Sequence, residues 1–143
     1  MGTAADDLDA VSRVVVPVRY PLTRHSVRTL KRAIELTRDH EAELTVLHIN
    51  LYQNQGEVRR SDLKRAVERE FGSLPFARYV VRAGFLVEET ILDEIAAEDA
   101  DVVVIGRKQV GRWRSMINRV IGDPNIERYL RDGLDCQIIT VGS

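Results

Sequence analysis

Val102-Val103-Val104-Ile105, four β-branched residues in a row, constrain this chain more than any other stretch. No polar residue alternates with them, so the run reads as a strand covered on both faces, which is the middle of a parallel sheet. A second run, Val14 to Val18 (VVVPV), has the same character. Pro17 stands near its end, where a lost ladder bond is tolerable. Two such strands belong side by side at the centre of one sheet.

The rest of the chain alternates between strand and helix signals. After Arg19-Tyr20-Pro21-Leu22, Thr23 is placed to cap a helix whose inward stripe is Val27, Leu30, Ala33, Ile34 and Thr37. Glu43 to Asn50 (ELTVLHIN) reads as a strand, and a polar loop over 52–60 follows it. A helix then begins at Ser61, buries Leu63, Ala66, Val67 and Phe71, and stops at Gly72. Ala77 to Arg82 is a third strand, and Gly84 turns the chain into a helix with the stripe Val87, Ile91, Leu92, Ile95 and Ala96. Beyond the central run, a last helix over Pro124 to Arg131 leads to a fifth strand, Cys136 to Val141. This alternation means βαβ units with right-handed crossovers, hence an α/β fold with a doubly wound five-stranded parallel sheet and helices on both faces. Placing the two purest runs in the middle gives the order 3-2-1-4-5, with the switch point between strands one and four.

The segment after the central run carries the chemistry. Gly106, Gly111 and Gly122 punctuate it, and it holds Arg107, Lys108, Arg112, Arg114 and Arg119 with no acid among them. Trp113, Met116, Ile117, Val120 and Ile121 fall at helical spacing, which suggests a short amphipathic turn or two. Asp123-Pro124 has the form of an N-cap followed by the first helical position. Open α/β sheets bind ligands outside the carboxyl ends of their strands. The chosen strand order puts Arg19 on one lip of such a crevice and Gly106-Arg107-Lys108 on the other, with His48 near the end of the second strand. An anion is the natural guest.

Composition sets the bounds. With Lys+Arg 21 against Asp+Glu 22 the net charge is -1, so any phosphate affinity must come from local clustering and not from wholesale nucleic-acid binding. The one cysteine, Cys136, excludes an internal disulfide and a cysteine-based zinc finger, and it reads as a packed thiol. His25, His40 and His48 lack metal-ligand spacing, so no metal site is expected. The opening MGTAADDLDA lacks a signal peptide's basic and apolar regions, and no run approaches membrane-span length. Residues 1–12 read as a flexible tail, 13–143 as a single domain, and the cytoplasm as the compartment.

Taken together, VVVPV followed by a helix, ELTVLHI, EETILDEIAAEDADVVVIG and NIERYLRDGLDCQIITV resemble the universal stress protein family over nearly the whole chain. The Ala100-Asp101 pair before an apolar strand and Gly106 is part of that likeness. The resemblance implies an adenine nucleotide alpha hydrolase-like fold, homodimers joined through the last strand, and a nucleotide crevice filled in only some members. Members that bind ATP share the motif G-x2-G-x9-G-[ST]. Here Gly106 matches the first glycine, Gln109 replaces the second with Gly111 two places on, Gly122 stands for the third only in a longer loop, and Asp123 replaces the hydroxyl residue. Arg19 stands where the family has an acid after its first strand. By this likeness Val18 and His48 would face a base, while Gly106, Arg107, Lys108, Gly111, Arg112, Gly122 and Asp123 would meet phosphates.

Two functional readings follow. One is a non-enzymatic regulatory or binding protein of the universal stress type, dimeric through Cys136 to Val141, with weak or altered nucleotide binding. The other is an ATP- or AMP-binding switch or slow ATPase that uses the same crevice. A third, weaker alternative is an acidic protein or RNA partner at the basic segment. A dinucleotide Rossmann fingerprint, a P-loop ending in Lys-Ser/Thr and a G-x-S-x-G elbow are all absent from the sequence, and no nucleophile is offered as catalytic.

Overall fold

The computed structural model describes residues 11–54, 56–120 and 136–142, with the side chains of 114 and 116–120 set aside. The elements run β1 (Arg13–Pro17), α1 (Arg24–Asp39), β2 (Glu43–Leu51), α2 (Arg60–Phe71), β3 (Ala77–Gly84), α3 (Val87–Glu98), β4 (Val102–Gly106), α4 (Arg107–Val120) and β5 (Gln137–Val141). They form a five-stranded sheet in the order β3-β2-β1-β4-β5, parallel throughout. The strand order expected from the two valine runs is the one observed.

Alternation along the central strands divides the interior in two. Val14, Val16, Val102 and Val104 pack with Leu30, Ala33 and Ile34 of α1 and Leu63 and Val67 of α2. Val15, Val103 and Ile105 turn the other way, against Ile91 and Ile95 of α3 and Val110 and Trp113 of α4. A strand whose every residue is apolar can satisfy both layers at once, which is why these two runs take the middle. In α1, Thr23 caps as expected, its Oγ1 accepting the Ser26 N–H at 3.1 Å. Gly72 ends α2 at φ 80, in the left-handed region that favours glycine.

Three expectations change. Ala96 is exposed, whereas Glu94 is 5% exposed in the stripe of α3. Arg82 of β3 accounts for that burial: its Nε reaches Glu94 Oε1 at 2.7 Å, and Arg78 reaches Glu98 at 2.9 Å. Val11 and Ser12, expected at the end of a tail, are engaged: Val11 joins the core and Ser12 bonds Asp101. The segment after β4 is not a glycine-punctuated loop with a turn or two. It is the 14-residue helix α4, which begins at Arg107 directly after the strand. Arg, Lys, Gln and Met are good helix formers, and one glycine costs the helix only about 1 kcal/mol.

At the opposite end of the sheet, Asp101 fastens β4 to β1. Its Oδ2 accepts from the Ser12 N–H at 2.8 Å, the Ser12 hydroxyl at 2.9 Å and the Arg13 N–H at 2.9 Å. Partial burial opposes its ionisation, but the backbone donors of Ser12 and Arg13 outweigh this and hold its pKa below the usual carboxylate value. A depressed carboxylate stabilises the fold above its unfolded pKa, near 3.9, and that stability is lost as the pH falls through the lower folded value. Asp101→Asn should therefore cost on the order of 1–2 kcal/mol in urea unfolding at neutral pH. The gap between variant and parent should close as the pH is lowered through the acid range; a gap of constant size would show that the charge is not what matters.

Candidate functional site

The chain leaves β1 for α1 on one face of the sheet and leaves β4 for α4 on the other. Diverging connections from neighbouring parallel strands open a crevice at their carboxyl ends. A pocket of about 290 Å³ lies there, near the lower end of volumes that hold small molecules. Its apolar lining comes from Val18, Leu47, Ile49, Val87, Ile91 and Ile105. Thr23, His25, Ser26 and Thr29 line it from the first two turns of α1, and Arg107, Lys108, Gln109 and Arg112 from those of α4.

Charge is the pocket's most distinctive property. Arg19, Arg107, Lys108 and Arg112 all line it, and none of its lining residues is an acid. Among the described residues no carboxylate forms an ion pair with any of these four. Neither α1 nor α4 has an acid in its first turn, so the positive ends of two helix dipoles face the same opening without internal compensation. In α4 the first turn holds two cations, each unfavourable there by about 0.3–1 kcal/mol. A bound anion would remove that repulsion and satisfy free backbone donors.

His48 stands at the β2 side. Its Nδ1 lies 3.1 Å from the Val18 carbonyl, and a carbonyl only accepts, so Nδ1 carries the proton. The Tyr20 ring meets it edge-on, with centroids 6.3 Å apart. At the α4 side, Trp113 is fully buried and donates its indole N–H to the Glu88 carbonyl at 3.2 Å. Gln109 donates to the Glu88 carboxylate at 3.1 Å. These two bonds dock the start of α4 on the start of α3, and Trp113 serves as a core aromatic.

Of the residues marked in the sequence, Val18, Arg19, His48, Gly106, Arg107, Lys108 and Arg112 lie along this one pocket. Gly111 does not line it, being an interior residue of α4. Gly122 and Asp123 lie outside the described residues, as does the helix expected over Pro124 to Arg131. Neither Gly106 nor Gly111 has a positive φ, and a Cβ on either would meet open space, so the backbone at these two positions does not require glycine. Sequence reading missed the contribution of α1. Its signal was present in Thr23, since a cap just past a central strand places a helix start at the switch point. Cys136 is buried just before β5. Among the described residues no group of His, Cys, Asp and Glu could hold a metal, and no helix is long and apolar enough to cross a membrane.

The chain is thus a doubly wound α/β protein with a cationic pocket at its switch point, the place where open α/β sheets bind ligands. The profile of the universal stress protein family matches residues 11–132, and the chain belongs to that family. Among solved structures it is similar to universal stress protein UspA from Lactobacillus plantarum, at 16% identity and TM-score 0.59, covering 92% of this chain and 97% of that one. A universal stress protein in complex with cAMP aligns at 14% identity and TM-score 0.57, over 92% and 97% of the two chains. The universal stress protein from Archaeoglobus fulgidus in complex with dAMP aligns at 20% identity and TM-score 0.51, over 90% and 96%. Comparison with curated protein sequences gave no match.

The helical state of Gly111 is directly testable. Gly111→Ala should raise stability by about 0.5–1 kcal/mol in urea or thermal unfolding, because the helix admits a Cβ there and the unfolded chain loses freedom. A loss of stability would mean that the glycine serves a turn.

Proposed function

We propose that this chain is a non-enzymatic regulatory binding module of the universal stress type, whose switch-point pocket takes an anionic small molecule, adenine nucleotides first among them. The observation that supports this most is the gathering of Arg19, Arg107, Lys108 and Arg112 around an apolar-floored pocket without one acid in its lining. Relatives of the same fold carry cAMP and dAMP. The residues present fit such a guest in part. Guanidinium and ammonium groups at the start of α4 suit phosphate oxygens, and Val18, Leu47 and Ile49 suit a flat base. Arg19, standing where the family has an acid on the adenine side, removes that acid and adds a charge of the opposite sign. Binding is therefore altered relative to the ATP-binding members.

Catalysis has less support. Hydrolysis needs a group that positions or deprotonates water; the pocket lining offers no carboxylate for this, only the imidazoles of His48, whose Nδ1 is held by the Val18 carbonyl, and His25.

Calorimetry with ATP, AMP and cAMP, alongside mass analysis of the denatured protein for carried nucleotide, tests the reading. Saturable binding is expected, and Arg107→Ala should weaken it by about tenfold, the worth of one charge-assisted hydrogen bond. Absence of binding by all three nucleotides, together with no carried nucleotide, would sink it.

The homodimer belongs to the same proposal. β5 lies at the edge of the described sheet, and an edge ladder left open invites a second copy. The Gln137 N–H is turned inward to the Asp101 carbonyl, so by alternation the exposed Thr140 turns its N–H outward. Thr140→Pro removes that N–H from the edge, and light scattering should show a shift from dimer toward monomer. An unchanged dimer mass would assign the contact to another surface.

A further inference from the structure

Resting on the reading above that the pocket holds a nucleotide, we infer that its preferred ligand carries anionic groups at two separated ends. Three observations carry this. First, the cations divide between two walls. Arg19 lies in the connection from β1 to α1, and Arg107, Lys108 and Arg112 lie on α4. The two helices pack on opposite faces of the sheet, so the walls face each other across its carboxyl edge.

Second, Arg107 leans away from the β1 side. Its Nη2 lies 3.6 Å from where a Cβ on Gly142 would stand, just beyond the end of β5, which widens the separation of charge. Third, the pocket has an apolar floor, with Leu47, Ile49 and Ile105 in its lining. Phosphates gathered at one end of a ligand would meet the α4 wall and leave Arg19 without an opposite charge. A ligand charged at both ends meets each wall with its own anion and lays its uncharged middle on the floor.

This geometry assigns the class of nucleosides phosphorylated on both the 5′ and the 3′ positions. The comparison that changes phosphate placement at a fixed number of phosphates is adenosine 3′,5′-bisphosphate against adenosine 5′-diphosphate, titrated at one ionic strength in a calorimeter. Each ligand has two phosphates, but only the first divides them between two ends. The bisphosphate should bind about tenfold more tightly, as one extra charge-assisted contact allows. Arg19→Gln should weaken the bisphosphate about tenfold more than the diphosphate and so erase the preference, whereas Lys108→Gln should weaken both alike.

Circular dichroism of each variant before titration establishes that it is folded; Arg19 and Lys108 are exposed, so both substitutions should be tolerated. Equal affinities, or a preference that survives Arg19→Gln, would overturn the two-ended ligand and leave nucleotide binding intact. Failure of every nucleotide to bind would overturn both.

Discussion

The pairing of β1 with β4 holds the rest of the molecule in place. It is a short seam, with Val14 opposite Val102 and Val15 opposite Val103. At its amino end the Asp101 carboxylate gathers Ser12 and Arg13, which fixes the register and brings the first strand into the sheet. At its carboxyl end the chain departs in two directions, and right-handed crossovers send α1 to one face and α4 to the other. The pocket is the space those departures leave. A seam slipped by one residue would reverse every inward side chain of β1 and close both layers incorrectly.

Stability and binding make opposite demands on the start of α4. A helix is best served there by acids, and this one begins with Arg107 and Lys108. Tertiary contacts supply what the local sequence withholds. Trp113 is wholly buried against α3 and bonded to the Glu88 carbonyl, and Val110 joins the same layer. Anchored by its apolar face, the helix tolerates like charges at its positive end and presents them to the pocket.

A second polar cluster lies beneath α3, away from the pocket. Glu94 and Glu98, one turn apart, face Arg82 and Arg78 of β3, and Thr45 donates to Glu98 at 2.6 Å. Burial and the neighbouring Glu94 raise the Glu98 pKa. Burial also penalises charge on Glu94, but its bonds to Glu98 and Arg82 prevail and hold its pKa below the usual value. Glu98 Oε2 is buried without a donor, which fits the raised pKa of this carboxyl. The cluster ties the edge strand β3 to its covering helix. Such a pair is legible in sequence only with hindsight, because two glutamates in a helix ordinarily mean a solvated face.

Much of the architecture was determined by the sequence alone. Unbroken Val and Ile runs can be buried only on both sides, and the alternation of strand with helix signals leaves few topologies for them. The strand order, the Thr23 cap, the Gly72 stop and the convergence of Arg19 with Arg107 all follow from patterns within a few residues. Tertiary structure alone decided the state of the segment after β4, where glycine spacing suggested a loop and the packing of Trp113 made a helix. It also decided which glutamates lie inside and that the start of α1 shares the pocket. Periodicity reports which face of an element is apolar. What covers that face, and which charges it brings together, depends on neighbours distant in the chain.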